Sequence, residues 1–131
     1  MFGCSGGDDG PTDVQSLCAL PWAGTRTWFM AGGCPATPSS FNSQSTLTFS
    51  NCTITMDVTP PAEKTRGATW TLTTNLQTGT AQVVRANTDC PGTDTGSLDI
   101  RDTVVVADVT APADPACACR LRYTISIPRP R

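Results

Sequence analysis

From Cys117 to Ile127 the chain alternates without a break. Cys117, Cys119, Leu121, Tyr123, Ile125 and Ile127 fall on one side, and Ala118, Arg120, Arg122, Thr124 and Ser126 on the other. A period of two marks a strand with one buried face, because successive side chains leave opposite faces of the pleated backbone. Shorter versions of the pattern recur along the chain: Trp70 and Leu72 alternate with Thr69, Thr71 and Thr73, and Ile54, Met56 and Val58 with Thr53, Thr55 and Asp57. Strands are therefore expected at 25–30, 45–49, 52–58, 68–74, 80–86, 97–101, 103–109 and 117–127, with Val104-Val105-Val106, apolar on both faces, in a central strand.

Turn chemistry separates these runs. Gly32-Gly33-Cys34-Pro35 is expected to end the first strand, and residues from Pro60-Pro61 to Gly67 to form a loop. At Ser50-Asn51 the apolar phase slips. A two-residue hairpin there sets Phe49 opposite Cys52, and a bulge restores the phase equally well.

Helix has little support. The chain holds one Lys, Lys64, and one Glu, Glu63, so the usual surface helix formers are nearly absent while β-favouring Thr is abundant. The exception is Asp13 to Ala19, where Thr12 and Gln15 are spaced as a capping box and Pro21 closes the segment. At 131 residues the chain suits one core. The expected architecture is all-β: a single antiparallel β-barrel or β-sandwich of seven to eight strands with one short N-terminal helix, disulfide-stapled, over residues 12–131.

The staples are inferred from seven cysteines and no histidine. No C-x-x-C knuckle is present, so dispersed cysteines point to an oxidising compartment rather than to a metal. Setting Cys4 aside leaves Cys18, Cys34, Cys52, Cys90, Cys117 and Cys119, enough for three bridges. Cys117 and Cys119 leave one strand face about 6.5 to 7 Å apart, too far to bond each other. The expected pairing joins Cys18 to Cys34, with Cys52 and Cys90 joined to Cys117 and Cys119 in either order.

Cys4 stands ahead of Ser5-Gly6-Gly7-Asp8-Asp9-Gly10-Pro11, a run that offers nothing to a core and reads as a flexible tether over residues 1–11. Gly3-Cys4-Ser5 before such a linker resembles the processed start of a bacterial lipoprotein, which implies a signal peptide, lipidation at Cys4 and residence in the periplasm or at the cell surface, anchored to the outer membrane. The other reading is a frayed tail with a spare thiol. Further on, Gly24-Thr25 leading to Trp28, then Leu47-Thr48-Phe49, then Gly67-Ala68-Thr69-Trp70, resembles the opening half of small bacterial lipocalin-like lipoproteins, over about the first 75 residues. That resemblance implies an up-and-down barrel. In such a barrel Trp22, Trp28, Trp70, Phe29 and Phe49 either line a ligand cavity or fill the core.

Chemistry is limited by what the chain lacks. Without histidine there is no Ser-His-Asp triad, Cys-His dyad or H-E-x-x-H site. Carboxylate pairs for glycoside hydrolysis are formally available in Asp99 with Asp102 and Asp57 with Glu63. Asn87 to Asp94 with Asp99 is oxygen-rich but lacks the order of a calcium loop, so turn chemistry is the expectation. Asn51-Cys52-Thr53 fits a glycosylation acceptor. The basic cluster Arg120, Arg122, Arg129 and Arg131 reads as solvated surface, and a net charge of −2 speaks against nucleic acid. No run approaches the roughly 18 apolar residues of a membrane span. The expectation is a monomeric, non-enzymatic binding or structural module of the cell envelope, without metal or cofactor, whose partner is a protein or small ligand.

Overall fold

A computed structural model describes residues 14–34, 37–88, 91–110 and 122–130. Helix α1 (Val14–Cys18) leads into β1 (Gly24–Cys34), β2 (Thr37–Ser50) and β3 (Thr53–Asp57). Helix α2 (Pro61–Thr65) follows, then β4 (Thr69–Asn75), β5 (Thr80–Ala86), β6 (Gly92–Ile100), β7 (Val104–Thr110) and β8 (Arg122–Pro128). Each strand pairs antiparallel with the next, and β8 closes on β1 with Phe29 opposite Ser126 and Gly32 opposite Tyr123. The alternation thus resolves into a closed eight-stranded meander rather than a sandwich. Closure also removes the unpaired edges that an open sheet would expose.

The inward phase is the apolar one. Trp28, Met30, Leu47, Ile54, Met56, Leu72, Val83, Val105, Ala107, Ile125 and Ile127 belong to one buried cluster. Trp22, Trp28 and Trp70 are buried with them, Phe49 is half-buried, and Phe29 points outward at 37% exposure, so it is not an interior residue. Outward positions are mostly Thr, Ser, Asn, Gln, Asp and Arg. A transmembrane barrel needs the reverse, an apolar band facing out. Among the described residues no helix is long and apolar enough to cross a membrane.

At one end of the barrel α1 acts as a plug. Leu17 and Trp22 are fully buried, and the Trp22 indole Nε1 donates to the Leu17 carbonyl at 2.8 Å. Burial of two such side chains is worth roughly 2 to 3 kcal/mol each, more than a five-residue helix could supply from its own hydrogen bonds. Arg26, at the start of β1, holds the linking segment through the carbonyls of Pro21 and Trp22.

Several expectations are corrected. The helix-poor composition argued for one helix, yet α2 forms in the expected loop: Pro61 supplies a preset first turn, and the chain's only Glu and only Lys follow it. Strand β1 does not stop at Gly32. Gly32 has φ +120, and a Cβ there would meet the Arg122 carbonyl oxygen at 2.4 Å, so glycine lets β1 run close beside β8. The β2–β3 hairpin turns one residue later than expected, on Asn51 (φ 52) and Cys52 (φ 62), which pairs Ser50 with Thr53 and Phe49 with Ile54. Two left-handed residues form the turn whose twist matches a hairpin.

That shifted turn carries the disulfide. Cys18 bonds Cys52, with Cα atoms 4.9 Å apart, which overturns both the Cys18–Cys34 pairing and any bond from Cys52 to Cys117 or Cys119. The geometry explains the partner: α1 folds under the end of the barrel where the β2–β3 turn lies, whereas Cys34 closes β1 at the opposite end. Cys4, Cys90, Cys117, Cys119, the tether and Thr12 lie outside the described residues.

Candidate functional site

The chain's most unusual chemistry sits inside the barrel, in the half near α2. Arg85 occupies the inward phase of β5 behind Ala81 and Val83, and Asp94 the inward phase of β6. They are 5% and 0% exposed. The guanidinium grips the carboxylate as a fork, with Nη2 to Oδ1 at 2.8 Å and Nε to Oδ2 at 2.9 Å. Tyr123 of β8 donates its hydroxyl to Asp94 Oδ2 at 2.5 Å, and the Arg85 guanidinium lies 5.8 Å from the centre of the Trp70 ring. Trp70 and Tyr123 are tilted neighbours with centroids 5.9 Å apart.

Burial of the Tyr123 phenol, reinforced by the hydrogen bond to Asp94 and by that carboxylate's charge, pushes its pKa far above the ordinary value against the opposing pull of Arg85. The hydroxyl therefore stays protonated as a donor. Two charges taken out of water cost several kcal/mol each, which only near-complete pairing offsets. Here the Arg85 fork and the Tyr123 hydroxyl supply that pairing. The Trp70 Nε1 and Thr74 Oγ1 atoms are buried with no hydrogen-bond partner among the described residues.

The expected acids are dispersed by the fold. Asp94 is buried within a strand, which separates it from the exposed Asp99 and takes it out of any surface calcium set, while Asp89 lies outside the described residues. Asp99 pairs with Arg101 at 2.7 Å, while Asp102 is exposed in the β6–β7 turn. Glu63 pairs with Arg66 and accepts from the Thr88 hydroxyl at 2.6 Å.

Asp57 closes β3 by accepting from the Thr59 amide at 3.0 Å and the Thr59 hydroxyl at 2.5 Å, with Lys64 at 3.4 Å. Partial burial pushes the Asp57 carboxyl up, but the Thr59 hydrogen bonds and the Lys64 charge outweigh it and hold its pKa below the usual value. A glycosidase acid needs the opposite shift. Among the described residues no group of three or more His, Cys, Asp or Glu could hold a metal. Arg122 is exposed beside Asp108 at 3.3 Å, and Arg129 donates to the Arg101 carbonyl, while Arg120 and Arg131 lie outside the described residues.

Replacing Asp57 with Ala removes both Thr59 bonds and should cost about 1 kcal/mol at pH 7. The depressed folded pKa means that this contribution is complete above the unfolded value near 3.9 and is lost as pH falls through the folded value. Urea denaturation of Asp57→Ala beside the parent should show the gap constant from pH 7 to pH 5 and closing below about pH 4. A gap that widens in acid would refute the assignment.

On the outside, a groove of about 610 Å³ lies beside the disulfide, lined by Gln15, Cys18, Asn51, Cys52 and Gln77. A second, of about 550 Å³, crosses the outer face of β3 to β6. Sequence reasoning missed both the interior cluster and the grooves. The first was detectable: Arg85 shares parity with Ala81 and Val83, and Asp94 with Leu98 and Ile100. The grooves carry no such signal, because their residues meet only through strand pairing. Comparison with protein-family models, with curated proteins and with solved structures finds no match to this chain.

Proposed function

We propose that this chain is an exported, non-catalytic binding or structural module of the bacterial cell envelope, of the lipocalin-like lipoprotein kind, tethered through Cys4. The Cys18–Cys52 bond is the observation that carries this reading, since such a bond persists in an oxidising compartment and is reduced in most cytosols. Supporting it, the described acids are each engaged in ion pairs or hydrogen bonds or lie singly at the surface, and the barrel interior is occupied by large side chains. Recognition on this reading belongs to the outer surface.

The remaining cysteines fit the same reading. Cys34 ends β1 at the α2 end, and the β5–β6 and β7–β8 connections, which contain Cys90 and Cys117 with Cys119 in sequence, join their strands at that end too. Two further bridges among these four would complement Cys18–Cys52 at the opposite end.

Alkylation of intact source cells before lysis tests the proposal. Cys18 and Cys52 should remain unmodified until a reductant is added, and at most one thiol should be trapped, that of Cys4 in any fraction of the chain that lacks the lipid. With lipid on Cys4 the protein should enter the detergent phase, and Cys4→Ser should return it to the aqueous phase. Alkylated Cys18 and Cys52 would place the chain in a reducing compartment and sink the reading.

A further inference from the structure

The two outer grooves adjoin. Cys52 and Asn51 line one and the next residue, Thr53, lines the other; Gln77 lines the first and Asn75, paired with Thr53, the second. Along both, apart from the Cys18–Cys52 bond, Ala81 and Gly96, the lining side chains are carboxamides and hydroxyls, and none is charged. Charge is placed elsewhere: Asp57 with Lys64 and Glu63 with Arg66 near α2, Asp108 with Arg122 on β7 and β8, and Asp99 with Arg101 at the β6–β7 turn.

The polar groups of this surface are held ready by the backbone. Thr73 faces Gln82, and Gln82 faces Thr95, so strand pairing sets three hydrogen-bonding side chains in one row across β4, β5 and β6. Asn75 Oδ1 accepts the amides of Gln77 and Thr78, which fixes its carboxamide at the turn. At the floor, Gly96 contributes backbone alone.

We propose that this paired groove is a binding site for a neutral glycan chain, a specific form of the module function on which it rests. A carboxamide donates and accepts at once, as does a hydroxyl, which matches the neighbouring hydroxyls of a pyranose ring. The absence of charge removes any counterpart for a polyanion or a basic peptide. Four strands span about three strand spacings, roughly 14 Å, enough for a short oligosaccharide laid across them. No aromatic platform lines either groove, so affinity rests on hydrogen bonds against water and is of millimolar order.

The test is titration of the oxidised, folded chain, isotope-labelled for NMR, with cellopentaose, maltopentaose and chitopentaose in turn. At least one should produce saturable shifts in the side-chain amide signals of Gln77, Gln82 and Asn75, leaving the Trp70 indole signal unmoved. Gln82→Leu with Thr73→Val should weaken that binding at least fivefold while the melting temperature stays that of the parent. Absence of saturable shifts with all three sugars overturns the proposal, as does an equal response to polygalacturonate. So do shifts that grow with protein concentration alone, which would place a second copy on this face. Failure here with Cys18 and Cys52 still protected in cells would remove the glycan and leave the exported module standing.

Discussion

Gly96→Ala should be among the most damaging single-methyl additions in the described structure, costing about 3 kcal/mol or more and lowering the melting temperature by roughly 10 °C or more. A Cβ at this position would meet the Asp108 carbonyl oxygen at 1.8 Å and Val109 Cα at 2.9 Å. Both atoms are backbone of the paired strand β7, where Gly96 faces Val109. A long side chain could swing aside, but a strand hydrogen-bonded on both edges of a closed barrel cannot move without disturbing its neighbours. Gly79→Ala provides the contrast, since nothing lies within 4 Å of a Cβ there and only its φ of +72 is at stake. That left-handed strain is worth about 1 to 2 kcal/mol. Urea unfolding of the two variants beside the parent should rank them clearly. A Gly96→Ala chain as stable as Gly79→Ala would show that β6 and β7 can separate at this point.

The fold was legible where one face of a strand is buried and the other wet. Thr80 to Ala86 and Tyr123 to Ile127 show their inward residues directly, because water and core impose a period of two on the residue types. Whether the strands form a barrel or a sandwich was not legible, since both architectures demand the same alternation. The pairing of Cys18 was lost for a related reason. It depends on where α1 folds in space and on a hairpin turn at Asn51-Cys52, and a one-residue shift of that turn is invisible when either choice keeps Phe49 and Ile54 on the same side. Composition misled at α2, where one short favourable segment outweighed a helix-poor chain. The interior charges were missed because Asp94 follows Asp89, Pro91 and Gly92, residues that signal a turn, although parity with Leu98 placed it inward. The outer grooves, built from Thr, Asn and Gln scattered over four strands, leave no trace in any local pattern.

Removing one member of the buried ion pair should destabilise the chain far more than removing both. Arg85→Met would leave the Asp94 carboxylate, fully buried, with the Tyr123 hydroxyl as its remaining described donor. Asp94→Leu would leave a guanidinium over Trp70 with its bidentate acceptor gone. Each single change should cost about 3 to 5 kcal/mol, because the surviving charge keeps its desolvation penalty and loses its compensation. In the double variant Arg85→Met with Asp94→Leu no charge remains buried, and the interior gains apolar volume close to that removed. Its stability should come within about 1 to 2 kcal/mol of the parent, giving a coupling energy of several kcal/mol in a double-mutant cycle. Tyr123→Phe removes one donor to a charged acceptor and should cost about 1.5 to 3 kcal/mol in the parent but little in the double variant, where Asp94 is absent. The cycle is read from guanidinium unfolding midpoints at constant slope. Additive costs, with the double variant as unstable as the two singles combined, would mean that Arg85 and Asp94 act separately and that the cluster is not the closed unit its geometry describes.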